Sequence, residues 1–288
     1  MVKDNTFGFL LILPSLLLLI ILVVFPISYV LYLSLHDFTT AELLWTGFSN
    51  YREILFQDAR FWLYTFHSLE YVFLAIGTAF AVGLMVAMSL NAINRFKGLL
   101  RTLSLWAWAI PPVIASLMWK WILNDTNGVI NDILLKVGLI TNPIPWLSLP
   151  TVTMIVLSVV HAWTVIPFIM IILLAGLQSI SNELYEASSI DGANALYKFK
   201  KITFPMLKPS VLTSVMISSI FAFRTIDIVF TLTRGGPGEA TQMLVTYIYD
   251  KAFIGLRLGY AAALSVIMVV ISMLIVSMFV TLIRVDDQ

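Results

Sequence analysis

Arg224 and Asp227 stand three residues apart inside one of the long apolar runs of this 288-residue chain. At membrane depth each charge costs at least about 2.5–3.5 kcal/mol unless it is paired or faces water. On a helix the two side chains lie on neighbouring faces. Two readings stay open from spacing alone: an ion pair that keeps the helix turned inward, or contact with a polar solute. His161 and Trp163, close to Pro167 in another apolar run, offer a second chemistry. An indole face against the apolar face of a sugar, with a polar neighbour for the hydroxyls, is how a carbohydrate is held. Most other aromatics, among them Trp106, Trp108, Trp119 and Trp121, read as interfacial or packing residues. Glu70, one turn after His67, is a weaker candidate that reads as an outer-end side chain reaching the interface.

Covalent chemistry finds no support. The chain has no cysteine, which excludes disulfides, thiol nucleophiles and Cys-based metal sites. No Gly-Lys dipeptide occurs, so there is no phosphate-cradling P-loop. Three scattered histidines without an acid cluster argue against a metal site, and no serine or threonine stands in a nucleophile setting. A net charge of +1 gives no case for nucleic acid. The residues point to binding and movement of a solute, with no cofactor held by this chain.

The elements that position these residues are membrane helices. At 60% hydrophobic and 11% charged, the chain falls far below the quarter of charged residues in a soluble globule. Its apolar runs reach the length of about 20 residues that crosses a bilayer as helix. Six spans are expected, at about 7–35, 62–90, 99–123, 151–177, 209–232 and 258–283, within a single domain over residues 1–288. Continuous apolar runs without alternation argue against barrel strands, and helices satisfy their own backbone in lipid. Pro111-Pro112 and Pro167 are points where a span is able to bend. Lys3, Arg95, Lys97, Arg101, Lys198, Lys200, Lys201, Lys208 and Arg284 gather on one side, which places both termini in the cytoplasm. The first run is too long for a signal-peptide core and reads as a retained span.

Residues 179–208 form a polar, Lys-rich interruption on that inner side. Ser181 suits the start of a short helix with Glu183 near its positive end. Gly192 suits its end, where backbone angles forbidden to other residues are needed. Asn194 suits the start of a second short helix, with Leu196, Phe199 and Ile202 on one face and Lys198 and Lys201 on another. Pro205 and Pro209 then lead into span five. Spacing alone leaves two readings: a knob that inserts into a groove, or an ordinary turn whose lysines set topology.

The run Glu186-Ala187-Ser188-Ser189-Ile190-Asp191-Gly192, with Ile202-Thr203-Phe204-Pro205 after it, resembles the EAA signature of ABC-importer permeases. Leu232-Thr233-Arg234-Gly235-Gly236-Pro237 is similar to the Leu-Thr-x-Gly-Gly-Pro loop of maltose-type sugar permeases. Tyr247-Ile248-Tyr249 and Gly259-Tyr260-Ala261-Ala262-Ala263 extend the likeness, which is specific from Leu184 to Ala263. Ser188 in place of alanine and Phe204 in place of leucine are small departures.

The resemblance implies an all-α integral membrane protein with the type I ABC importer permease fold and a cytoplasmic coupling helix between helices four and five. Glu186, Ala187, Ser188, Asp191, Gly192, Ile202 and Pro205 would then couple to a separate ATPase, which binds the ATP and Mg2+. Arg224, Asp227, Phe223, Trp163 and His161 would face the solute, and Gly235, Gly236 and Pro237 in the outer loop 234–257 would touch a solute-binding protein. The implied partners are a second, homologous permease in a heterodimer, two ATP-binding subunits, an extracytoplasmic solute-binding protein, a carbohydrate or related polyol, and membrane lipid. The implied setting is a bacterial or archaeal cytoplasmic membrane. The alternative is an ion-coupled secondary transporter, for which Asp227 and Glu70 are the only intramembrane acids and no internal repeat is visible.

Overall fold

The computed structural model describes residues 2–37, 44–93 and 97–284. Arg95 and the side chains of Lys3, Lys97 and Arg284, which contribute to the expected orientation, lie outside the described residues. The helices are α1 (Val2–Leu19), α2 (Phe25–Ser34), α3 (Ser49–Phe56), α4 (Ala59–Ala92), α5 (Lys97–Ala109), α6 (Pro112–Ile122) and α7 (Val129–Lys136). They continue as α8 (Pro150–Gln178), α9 (Asn182–Ile190), α10 (Ala195–Lys198), α11 (Phe204–Phe223), α12 (Asp227–Leu232), α13 (Leu244–Tyr249) and α14 (Leu258–Arg284). Single π-helical turns lie at Ile20–Val24, Phe199–Thr203 and Asp250–Ile254. Two short strands, β1 (His36–Asp37) and β2 (Leu44–Trp45), pair antiparallel with His36 opposite Trp45.

Among the described residues five helices are long and apolar enough to cross a membrane, and a bent pair supplies a sixth crossing if it counts as one span. Two of the expected spans need correction. Span three is not one helix: α5 and α6 meet at 90°. The cause is Pro111-Pro112, since Pro112 has no N–H to give and forces Pro111 into extended angles of φ −54°, ψ 136°. Span five begins well before residue 209 and stops before residue 232. One continuous helix runs Ala195–Phe223, so the second short helix of the polar loop is the inner end of this span. The proline at 205 does not break it. The π turn at Phe199–Thr203, closed by the Phe204 N–H on the Phe199 carbonyl, adds a residue to the turn ahead of the proline ring.

The chain divides into two compact units, Met1–Leu63 with Tyr247–Ile271, and Tyr64–Thr246 with Ser272–Gln288. In the first, the most apolar window of the Leu11–Ser34 span has no buried residue. Asn50 organises the hairpin, donating through Nδ2 to the carbonyls of Ser34 and His36 at 3.0 Å each. Gly259 at the start of α14 lies directly against the His36 carbonyl, leaving no room for a side chain. The Asp58 carboxylate just before α4 accepts from the hydroxyls of Tyr247 (2.6 Å) and Tyr260, and from the Arg60 N–H at 3.0 Å. Arg257 makes a two-point ion pair with Glu53 at 2.9 and 3.0 Å.

Burial pushes the Asp58 carboxyl upward, but the Tyr247, Tyr260 and backbone hydrogen bonds outweigh it and hold it below the usual carboxylate range. A depressed folded value stabilises the fold above the unfolded pKa and ceases to do so as pH falls through the folded one. The thermal midpoint of the wild type should therefore exceed that of Asp58→Asn at neutral pH. The gap should close as pH falls below about 4. A gap independent of pH would show that the carboxylate charge is not what the two tyrosines hold.

The second unit has α8 at its centre, with Leu157, Ile169, Met170, Leu173 and Leu174 almost fully buried. In a bilayer, close backbone approach at small residues does the work that apolar burial does in water. Gly176 of α8 provides it, because a Cβ there would stand 2.4 Å from Ser210 Oγ and 2.9 Å from Leu207 Cδ2 of α11. Gly83 of α4 does the same against Ile169.

Candidate functional site

A cavity of about 310 Å³ opens in the second unit where two helix interruptions meet. One is the Pro111-Pro112 corner, which contributes Trp108, Ile110 and Pro112. The other separates α11 from α12 and contributes Thr225, Asp227 and Ile228. At this second break the Thr225 hydroxyl takes the Phe221 carbonyl at 2.7 Å, competing with the continuing helix. Side chains of α8 and α11 complete the wall: His161, Thr164, Val165 and Phe168, then Ser218 and Phe221. Broken membrane helices are where polar backbone and side chains come together at depth.

Placed on this geometry, the solute-facing candidates separate. Asp227 and His161 line the cavity. Arg224 does not sit inside a helix; it ends α11 at φ −105°, exposed, with its guanidinium 5.2 Å from the Phe221 ring centre. Among the described residues no ion pair joins Arg224 to Asp227, which corrects the paired reading. Phe223 is buried and does not line the cavity. Trp163 likewise lies outside the lining, edge-on to Trp106 and Trp119 at 6.4 and 5.8 Å. Among the tryptophans it is Trp108 that lines it, 6.1 Å from Phe168, which shares the wall with Phe221.

Ser218 was not singled out from the sequence, yet its hydroxyl is buried in the wall of this cavity without a hydrogen-bond partner among the described residues. The spacing His161, Thr164, Val165 and Phe168 was a legible signal, since i, i+3, i+4 and i+7 share one helical face. A second cavity of about 360 Å³ is lined by α4, α11 and α14. Its walls are apolar apart from Ser219, so it offers a polar solute little to hold.

The polar segment folds as local chemistry dictates at its caps. Ser181 Oγ accepts from the Glu183 N–H, and Asn194 Oδ1 accepts from the Tyr197 N–H at 2.8 Å. Gly192 has φ +78°, with open space where a side chain would project. Tyr185 to Thr203 (3.0 Å) and Lys198 to Ser189 (2.6 Å) tie α9 to the start of the long helix. Glu186, Ala187, Asp191 and Pro205 are exposed, whereas Ser188 and Ile202 are half-buried. Ile190 at 87% and Leu196 at 62% exposure present apolar surface beside the charges. Such a combination on a rigid projection is what docking into a groove requires.

The Gly235-Gly236-Pro237 turn is internally tied, with a cis Gly236–Pro237 peptide. The Thr241 N–H donates to the Gly235 carbonyl at 3.1 Å, and the Thr233 and Thr241 hydroxyls meet at 2.9 Å. Gly235 is buried against Gln242 at φ +88°, while Arg234, Gly238 and Glu239 form the exposed rim. The Leu244 N–H on Ser68 Oγ and His67 on the Gln242 carbonyl fasten the loop to α4. Among the described residues no group of three or more His, Asp or Glu could hold a metal ion.

A hollow that brings Asp227, His161 and Ser218 together between helix breaks, with an exposed projection at the inner end of the same long helix, suits a transport permease. Residues 79–284 match the family model for the binding-protein-dependent transport system inner membrane component, and the chain belongs to that family. It is 33% identical over 267 residues to a trehalose/maltose transport system permease protein of Thermococcus litoralis, covering 92% of this chain and 89% of that one. It is also 33% identical over 289 residues to a sulfoquinovosyl glycerol transport system permease protein of Agrobacterium fabrum, covering 99% and 92%. In fold it is similar to a chain of a bacterial ABC transporter involved in the import of the acidic polysaccharide alginate. That match has a TM-score of 0.84 at 22% identity and covers 98% of this chain and 96% of the other. The protein is therefore a multi-pass inner-membrane permease subunit of an ABC importer, and the ion-coupled carrier is set aside.

Proposed function

We propose that this chain pairs with a second, homologous permease above two ATP-binding subunits to import a carbohydrate or related polyol delivered by an extracytoplasmic binding protein. The observation that carries this is the cavity at the two helix breaks, lined by Asp227, His161 and Ser218, where the Asp227 carboxylate and the Ser218 hydroxyl have no hydrogen-bond or ion-pair partner among the described residues. Hydroxyl-rich solutes supply the donors and acceptors those atoms lack. The trehalose/maltose and sulfoquinovosyl glycerol systems of the two relatives support the same substrate class.

Within this account residues 1–288 act as one permease domain with both termini in the cytoplasm. Glu186, Ala187, Ser188, Asp191, Gly192, Ile202 and Pro205 seat α9 and the inner end of the long helix on the ATPase. Gly235, Gly236 and Pro237 shape the outer loop for the binding protein, with Arg234 and Glu239 at its rim. Asp227 and His161 contact the solute directly. Arg224, Phe223 and Trp163 act from the break and from behind the wall.

The experiment is co-purification of this chain from its native membrane, followed by reconstitution and uptake of trehalose, maltose and sulfoquinovosyl glycerol. Recovery of a P-loop ATPase and a second permease is expected. Asp227→Asn should raise the half-saturation of the transported compound about tenfold, as loss of a hydrogen bond to a charged group does. A chain that transports alone without ATP would defeat the proposal.

A further inference from the structure

Tyr71 of α4 lies outside the cavity wall and is completely buried. Its hydroxyl meets Nδ1 of His161 at 2.6 Å across 90 residues of sequence, the rings tilted at 46° with centres 5.3 Å apart. Among the described residues this is the only polar contact of that hydroxyl. Two proton arrangements fit the distance. If Nδ1 carried the proton, it would donate to the tyrosine oxygen and leave the phenolic hydrogen sealed in the core without an acceptor, a costly outcome. If Tyr71 donates to a bare Nδ1, both groups are satisfied. The neutral imidazole then carries its proton on Nε2. That nitrogen has no protein partner among the described residues, and His161 lines the cavity.

We infer that Tyr71 is a positioning residue that fixes His161 as an Nε2–H donor into the cavity, so that the solute must present an acceptor oxygen there. The inference rests on the proposal that this cavity holds the solute. Asp227 in the same wall is an acceptor, and the Ser218 hydroxyl serves as either. Polyol hydroxyls, which both donate and accept, can meet that set. A solute group able only to donate finds no acceptor at His161 while Tyr71 holds the tautomer.

The direct test is nitrogen-15 NMR of the reconstituted transporter with only this chain labelled at histidine. The chain has three histidines, His36, His67 and His161, and His161→Gln assigns the third by loss of its signals. The expected result is a protonated Nε2 and a bare Nδ1 in the wild type, with a mixed or reversed tautomer in Tyr71→Phe. A protonated Nδ1 in the wild type, or the same tautomer in Tyr71→Phe, overturns the inference. A tyrosine that merely fills space would not move this readout.

In uptake of whichever of trehalose, maltose and sulfoquinovosyl glycerol is transported, Tyr71→Phe should raise half-saturation about fivefold to tenfold, with little change in maximal rate. In a His161→Gln background the same replacement should add nothing, because Tyr71 acts through the imidazole. Additive losses would overturn the relay. An unchanged half-saturation in His161→Gln alone would instead remove the solute from this cavity, while the tautomer result would stand on its own.

Discussion

A Gly192→Pro chain is expected to insert, to assemble with its partner subunits, and to import solute at about a hundredth of the wild-type rate or less. Gly192 sits at φ +78° and its N–H donates to the Ser189 carbonyl at 3.1 Å. Proline fixes φ near −65° and has no N–H, so the turn that follows α9 cannot close as it does now. A misplacement worth roughly 3 kcal/mol lowers the population of the docking geometry about a hundredfold. The test is unusually clean because a Cβ at this position meets nothing within 4 Å. Any loss therefore reports the changed backbone angle and the lost N–H, not crowding at Cβ. Gly192→Asn, which visits the left-handed region at modest cost, should keep most of the uptake. ATP hydrolysis by the assembled complex should persist in the proline variant without driving transport. Wild-type uptake in that variant would end the docking account of residues 179–208.

The second large effect falls on the fold. A Gly259→Val chain is expected to yield no monodisperse transporter from the membrane. A Cβ there would lie 1.9 Å from the His36 carbonyl oxygen and 3.2 Å from that of Leu33. These are backbone atoms, so no rotamer change relieves the clash. The His36 carbonyl also accepts from Asn50, whose Nδ2 bridges to Ser34 as well. Moving β1 aside would break that bridge. Overpacking costs about 1–3 kcal/mol where side chains can yield and more where they cannot. Such a cost is a large share of the roughly 5–15 kcal/mol that holds a domain together. Gly77→Ala in α4, where a Cβ meets nothing within 4 Å, is the control and should behave as wild type. Normal yield and thermal midpoint in Gly259→Val would mean that α14 does not start against the hairpin.

What could be read from the sequence was local. Ser181, Gly192 and Asn194 act through their own side chains and backbone angles, so their roles as caps and turn were visible three residues at a time. The corner at Pro111-Pro112 was visible as a place to bend, but its 90° angle depends on what α6 packs against. The end of α11 at Phe223 was not legible, because Arg224-Thr225-Ile226 contains neither glycine nor proline. That break is held by tertiary contacts, including Lys120 Nζ on the Thr231 carbonyl at 3.2 Å, which joins α6 to α12. Assuming an unbroken helix put Arg224 and Asp227 on neighbouring faces and concealed that Ser218 and Phe221 share a wall with His161. Trp163 was a reasonable aromatic on composition and position. Its ring instead packs among Trp106 and Trp119, and only the packing of α5 on α8 reveals Trp108 at the cavity.

The unbroken run from the Asn194 cap to Phe223 has a mechanical consequence. At 1.5 Å per residue, Ser218 lies about 35 Å along the rod from Ala195. A tilt of only about 5° imposed at the inner end would sweep Ser218 sideways by about 3 Å, the span of one hydrogen bond. On the proposed assignments, the rod that carries the docking surface would act as a lever with the solute wall at its far end. The π turn and the prolines at 205 and 209 lie along that rod, between its inner end and Ser218. Stiffness along that rod, and not only affinity at either end, would then set how much of each ATP-driven stroke reaches the solute.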